Sequence, residues 1–136
     1  MLNAFGEETT HHITEDMFKS ILRRPRFSIP RLIEAKHFML GIPEENRNVR
    51  LTNKKGNALE VVRRDLNGKK RWTHEDRKRF IKDWVDDSRV ELMTKAEDFQ
   101  HEPWLKWHER MNGDFAEQEK DVDCLLMNRP KKQKSA

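Results

Sequence analysis

The sequence predicts an α+β domain: two N-terminal helices, a small three-stranded antiparallel meander, and C-terminal helices packed on it. Apolar residues recur at helical spacing over residues 17–22 and again over 80–126. Between these stretches, residues 48–73 alternate and are broken by turn-rich segments at 53–57 and Asn67-Gly68. The length of 136 residues fits one compact domain, taken as 1–128, with a basic flexible tail at 129–136. Hydrophobic residues make up 35% and charged residues 38%, so the core must be small; four Trp, seven Phe and six Met supply its bulk.

Residues 1–13 form an irregular lead-in from which Leu2 and Phe5 can tuck against the body. Thr14 suits an N-cap, its hydroxyl accepting an orphan amide, with Glu15 and Asp16 at the positive end of the helix dipole. Met17, Phe18, Ile21 and Leu22 then make one apolar stripe, and Pro25 ends the helix. Ser28 is expected to cap a second helix that tolerates Pro30 in its first turn, carries Leu32, Ile33 and His37, and stops at Gly41.

The meander follows as Val49–Thr52, Ala58–Val62 and Lys70–Trp72, with Asn67-Gly68 as a tight turn because both residues tolerate positive φ. Thr73, with Asp76 three residues on, is expected to cap the longest helix. Phe80, Ile81, Trp84, Val85, Ser88, Leu92 and Met93 keep one side of it apolar, and Trp72 with Trp84 should anchor sheet to helix. Pro103 opens a short helix with Trp104, Trp107, His108 and Met111 on one side. Gly113 breaks it, and Asp114 with Glu117 caps a last helix carrying Phe115, Val122, Leu125 and Leu126.

Charge is sorted along the chain. Residues 1–18 carry four acids and no Lys or Arg, whereas residues 19–79 carry 18 basic against 7 acidic residues. Residues 80–128 reverse the balance with 6 against 13, and the tail adds four basic residues. A polarised layout of this kind favours a strongly charged partner, or two halves that pair with each other. Arg47, Arg50, Lys54, Lys55, Arg63, Arg64, Lys69, Lys70 and Arg71 cluster on the two hairpins and are the candidate contacts for nucleic acid or an acidic protein surface. Alternation sets Arg50 and Thr52 against Val49 and Leu51, leaving a basic face to solvent. Two other uses compete: lysines that guard a sheet edge, and pairing with the acidic helix around 83–98.

Enzymatic chemistry finds little support in the residue pattern. His101 and His108 lie seven apart beside Glu102 and Glu109, and His11-His12 is a lone pair, but no spacing assembles a metal set. Asp16 with Glu34 and Lys36 imitates a nuclease pattern on a helix, where it has no pocket; Asp83, Asp86 and Asp87 read as a solvated face. No cofactor or metal is expected. Cys124, the single cysteine, reads as a small buried residue. It excludes an internal disulfide and suits an intracellular or intravirion setting, not a secreted one. No apolar run reaches the length of a membrane helix, so no membrane partner is expected. The Trp104, Trp107 and Met111 face is either core or a protein docking surface.

Four blocks occur in order along the chain: Ala4-Phe5-Gly6-Glu7, Pro43 through Lys55, Gly68-Lys69-Lys70-Arg71-Trp72, and Leu125-Leu126-Met127-Asn128-Arg129. In this the chain resembles the C-terminal domain of uncharacterised zinc-finger-type proteins of giant DNA viruses related to mimivirus and the phycodnaviruses. The Cys/His finger that often precedes that domain is missing here, and the stretch Arg63–Asn67 before the Gly is longer. The resemblance implies a viral setting more than a mechanism. Within that setting the charge and aromatic pattern points to a non-enzymatic accessory protein binding through its basic hairpins, or alternatively to a minor capsid or virion-associated component docking through its aromatic helix faces.

Overall fold

The computed structural model describes residues 2–128; the expected basic tail, 129–136, lies outside the described residues. Helices α1 (Glu15–Leu22) and α2 (Pro25–His37) are followed by a 3-10 turn at Glu44–Asn46. The strands β1 (Val49–Leu51), β2 (Ala58–Arg64) and β3 (Lys70–Asp76) come next, then α3 (Arg77–Asp98), α4 (Glu102–Met111) and α5 (Ala116–Met127). The α+β architecture is therefore the one the periodicity predicts, with the C-terminal helices packed on both the N-terminal helices and the sheet.

Several boundaries move for local reasons. Thr14 does cap α1, accepting from the amide of Met17 at 3.2 Å. Pro25, expected to end that helix, instead opens α2, where its missing N–H costs nothing. Ser28 is therefore inside α2, not at its cap. Its hydroxyl donates to the carbonyl of Pro25 and accepts the indole N–H of Trp104, each at 2.7 Å. The third strand runs four residues past Trp72. Thr73 stays in it, its hydroxyl donating to the Val61 carbonyl, and Asp76 caps α3 by accepting from the amide of Arg79. The Asn67-Gly68 segment is a looser five-residue turn in which only Gly68 has positive φ; the Asp65 carboxylate accepts from the amides of Asn67 and Lys69. Neither Asp114 nor Glu117 is the N-cap of α5; Phe115 holds that place.

The sheet order is β1-β2-β3, both pairs antiparallel, so β3 forms one edge. Its inner face, with Val49, Leu59 and Val61 fully buried, meets the helices. Helix α2 is the central member of the helical layer, touching α1, α3, α4 and α5. Phe5 enters the core from the lead-in, its ring 4.9 Å from Phe80 and 5.7 Å from Trp84. Asn46 and Asn48, both buried, fasten that lead-in. Asn46 accepts from the Asn3 side-chain amide and exchanges hydrogen bonds with the Thr9 backbone, and the Asn48 amide donates to the Asn3 carbonyl and to Glu8. Both asparagines belong to the Pro43–Lys55 block, and their place in it is structural.

Candidate nucleic-acid interface

Residues directly paired across an antiparallel sheet share a face. The register Arg50↔Glu60, Val62↔Trp72 and Arg64↔Lys70 therefore puts Arg50, Glu60, Val62, Arg64, Lys70, Trp72 and His74 on the face turned away from the helices. The alternation of Arg50 against Val49 and Leu51 is as the sequence predicts. Trp72 departs from expectation. Two-residue alternation from Lys70 carries it to the outer face, where the Arg50 guanidinium lies over its ring at 3.8 Å. Trp84 alone of the two is buried, its ring against Phe5, His37, Phe38 and Phe80.

The basic cluster is not one patch. Lys54 and Lys55 sit at the β1–β2 turn, and Lys69 and Lys70 at the β2–β3 turn, at opposite ends of β2. Seven residues at about 3.3 Å each separate them by about 20 Å. The outer face runs between these ends, with Trp72 and Arg50 in its middle.

Every arginine of the set has a carboxylate partner. Arg50 meets Glu60 at 2.8 Å, Arg64 meets Glu7 at 2.8 Å, Arg71 meets Asp65 at 3.1 Å, and Arg47 meets Glu44 at 3.2 Å. Arg63 points to the inner face, where it grips Glu75 through two bonds of 2.7 and 2.9 Å and lies over Phe5 and Phe80. The hydrogen bond from Arg63 is the main reason the Glu75 carboxyl falls below its ordinary range. These partners come from the sheet, its β2–β3 turn, the 3-10 turn before β1 and the lead-in. None of them is an acid of α3, of which Glu91 pairs with Lys36 and Asp86 with Arg89. By contrast, Lys54, Lys55, Lys69 and Lys70 make no ion pair among the described residues; Lys70 only adds a longer-range pull on Glu7.

Other candidates fall away or change character. Trp104 is fully buried and Trp107 nearly so, with Met111 packed against the same core. The aromatic helix face is thus core, because α4 turns that stripe onto α2 and α3, and it offers no docking surface. His108 stacks on Trp104 at 5.2 Å and receives a hydrogen bond from Arg89 at 2.8 Å. Burial first, then the Arg89 charge, holds its pKa below the usual value, so it is a neutral acceptor. His12 donates to the Ala35 carbonyl. No three His, Cys, Asp or Glu side chains converge into a metal site among the described residues. Cys124 is exposed, contrary to expectation, because α5 turns Gln118, Val122 and Leu126 inward and leaves Cys124 outside that stripe. No helix among the described residues is long and apolar enough to cross a membrane.

Comparison with family models, with curated proteins and with solved structures gives no match.

Proposed function

We propose that this chain is a non-enzymatic accessory protein of a large DNA virus that binds nucleic acid across the outer face of its sheet. One observation carries the reading: Lys54, Lys55, Lys69 and Lys70 make no ion pair among the described residues, and they sit at the two ends of a strand face that carries the half-buried Trp72. Lys54 and Lys55 also border a concavity walled by α3 and α5. Local acids neutralise Arg47, Arg50, Arg63, Arg64 and Arg71, so on the hairpins the lysines are the cations left for an outside anion. Lysines on turns neutralise phosphates and release counterions, and an aromatic ring between them gives a base a stacking partner. The viral setting comes from the resemblance of the Pro43–Lys55 block and its companions.

Binding of labelled oligonucleotides over a salt series tests this. Replacing Lys54, Lys55, Lys69 and Lys70 by Gln should flatten the log–log salt dependence by about 3, at roughly 0.7 to 0.9 per phosphate contact. Absence of any retention by the unmodified protein at low salt would overturn nucleic-acid binding. Retention of an acidic polypeptide alone would move the reading to an acidic protein surface.

A further inference from the structure

The arginines divide unevenly between paired and unpaired. Of thirteen among the described residues, eight meet a carboxylate within ion-pair distance. Five do not, and three of those five, Arg23, Arg24 and Arg31, line one concavity of about 700 Å³ at the corner where α1 gives way to α2. Ser20, Phe27 and Glu34 complete its wall. Phe27 and Arg31 lie one turn apart on α2, and Arg23 and Arg24 of the junction between the helices join them, so cations surround a central aromatic. Phe27 is 49% exposed. Arg26 lies over its ring at 5.0 Å, but Glu117 and Asp121 already hold that guanidinium.

Three guanidinium groups share this hollow with a single carboxylate, Glu34, that meets none of them at ion-pair distance; the cations outnumber it, and a further anion would relieve their repulsion. The seven residues of α2 from Pro25 to Arg31 rise about 10 Å at 1.5 Å per residue, with Arg23 and Arg24 just before them, a spread that suits a run of phosphates better than one isolated ion. The other end of α2 is the one docked beside β1, where His37 meets Asn46 and Asn48. The arginines of the hollow therefore lie about 9 Å (Arg31) to about 20 Å (Arg24) along the helix axis from that junction.

We infer that this arginine hollow is a second contact for nucleic acid, and that it takes a single strand, with the arginines on successive phosphates and an unpaired base against Phe27. The inference rests on the proposed nucleic-acid binding of the sheet and adds the class of strand. In a duplex the bases are stacked inside, out of reach of a ring on a helix surface. A splayed single strand offers both its phosphates and its base faces.

The experiment compares three forms of the protein, unmodified, R23Q/R24Q/R31Q and F27A, for binding to a single-stranded oligonucleotide and to its duplex over a salt series. All the changed side chains reach solvent, and thermal unfolding checks that the variants remain folded. The triple variant should lower the single-strand salt slope by about 2, at 0.7 per contact. F27A should weaken single-strand binding about tenfold while changing duplex binding little. An unchanged slope in the triple variant, with the lysine variant still weakened, overturns the hollow and leaves the sheet reading intact. Loss in F27A that is equal for duplex and single strand, or absent for both, overturns the single-strand assignment. If polyglutamate of matched charge competes as well as the oligonucleotide, the hollow is not a nucleic-acid site. If the unmodified protein retains neither oligonucleotide, both readings fall together.

Discussion

The Nδ1–H of His37 donates to the backbone carbonyl of Asn46 at 2.9 Å and to the side-chain oxygen of Asn48 at 3.0 Å. This fixes the tautomer and joins the end of α2 to the entry of β1. The ring is buried among Phe5, Phe38 and Trp84. Burial is the largest influence on it and pushes its pKa down, against the pull of Glu8 and the hydrogen bonds and with the opposing charge of Lys36.

A neutral buried histidine makes the fold sensitive to acid. The unfolded chain takes up the proton near the ordinary value of 6.5, while the folded chain resists it. The stability from this site is whole above that value and is lost as pH falls below it. Urea midpoints measured from pH 8 to pH 5 should decline more steeply for the unmodified protein than for H37Q. Parallel declines would show that His37 does not titrate in this way.

Asn48 serves three partners at once: His37, the Asn3 carbonyl and Glu8. N48A leaves buried groups without partners, and should cost about 2 to 3 kcal/mol. Chemical denaturation reads the loss, and hydrogen exchange should show residues 3–9 opening before the rest.

The indole N–H of Trp104 has Ser28 as its hydrogen-bond partner in a fully buried setting. S28A should therefore cost about 1 to 3 kcal/mol, most of it from the stranded donor. Adding W104F removes that donor, so the double variant should be less destabilised than the two single losses added together. Additive losses in a double-mutant cycle would contradict this.

Arg77 is 8% exposed and gathers the hairpin that carries Lys54 and Lys55. It donates to the carbonyls of Lys54 and Gly56, and meets Asp123 of α5 at 2.6 Å. R77A should cost about 3 kcal/mol, because it strands a carboxylate and two carbonyls. D123N should cost less, about 1 kcal/mol, since Asp123 is partly solvated and two of the three bonds survive. Amide exchange over residues 52–57 should rise in R77A and hardly change in D123N.

Short-range patterns in the sequence announce most of this fold. Stripes such as Phe18, Ile21 and Leu22 mark helices, and the alternation around Arg50 marks the face of β1 that stays outside. The misses arise where two local signals compete. Thr73 and Asp76 can both cap a helix, and the strand alternation through Glu75 decides for Asp76. Trp72 reads as core by type, and only its register against Val62 turns it outward. Charge pairing is harder still to read, because Arg64 finds Glu7 across 57 positions and Arg26 finds Asp121 across 95. Composition counts those charges without matching them. The hollow at Arg23, Arg24 and Arg31 does leave a trace, cations on both sides of Phe27 in the sequence, but the intervening Pro25 disguises it as a helix end.

The exposed margin of the sheet is β3, whose residues Lys70, Arg71, His74, Glu75 and Asp76 leave little apolar surface along it. Such a border is a poor template for a neighbouring chain's strand. Copies crowded side by side would stay separate bodies, touching through water and ions, and would not fuse into a continuous ribbon.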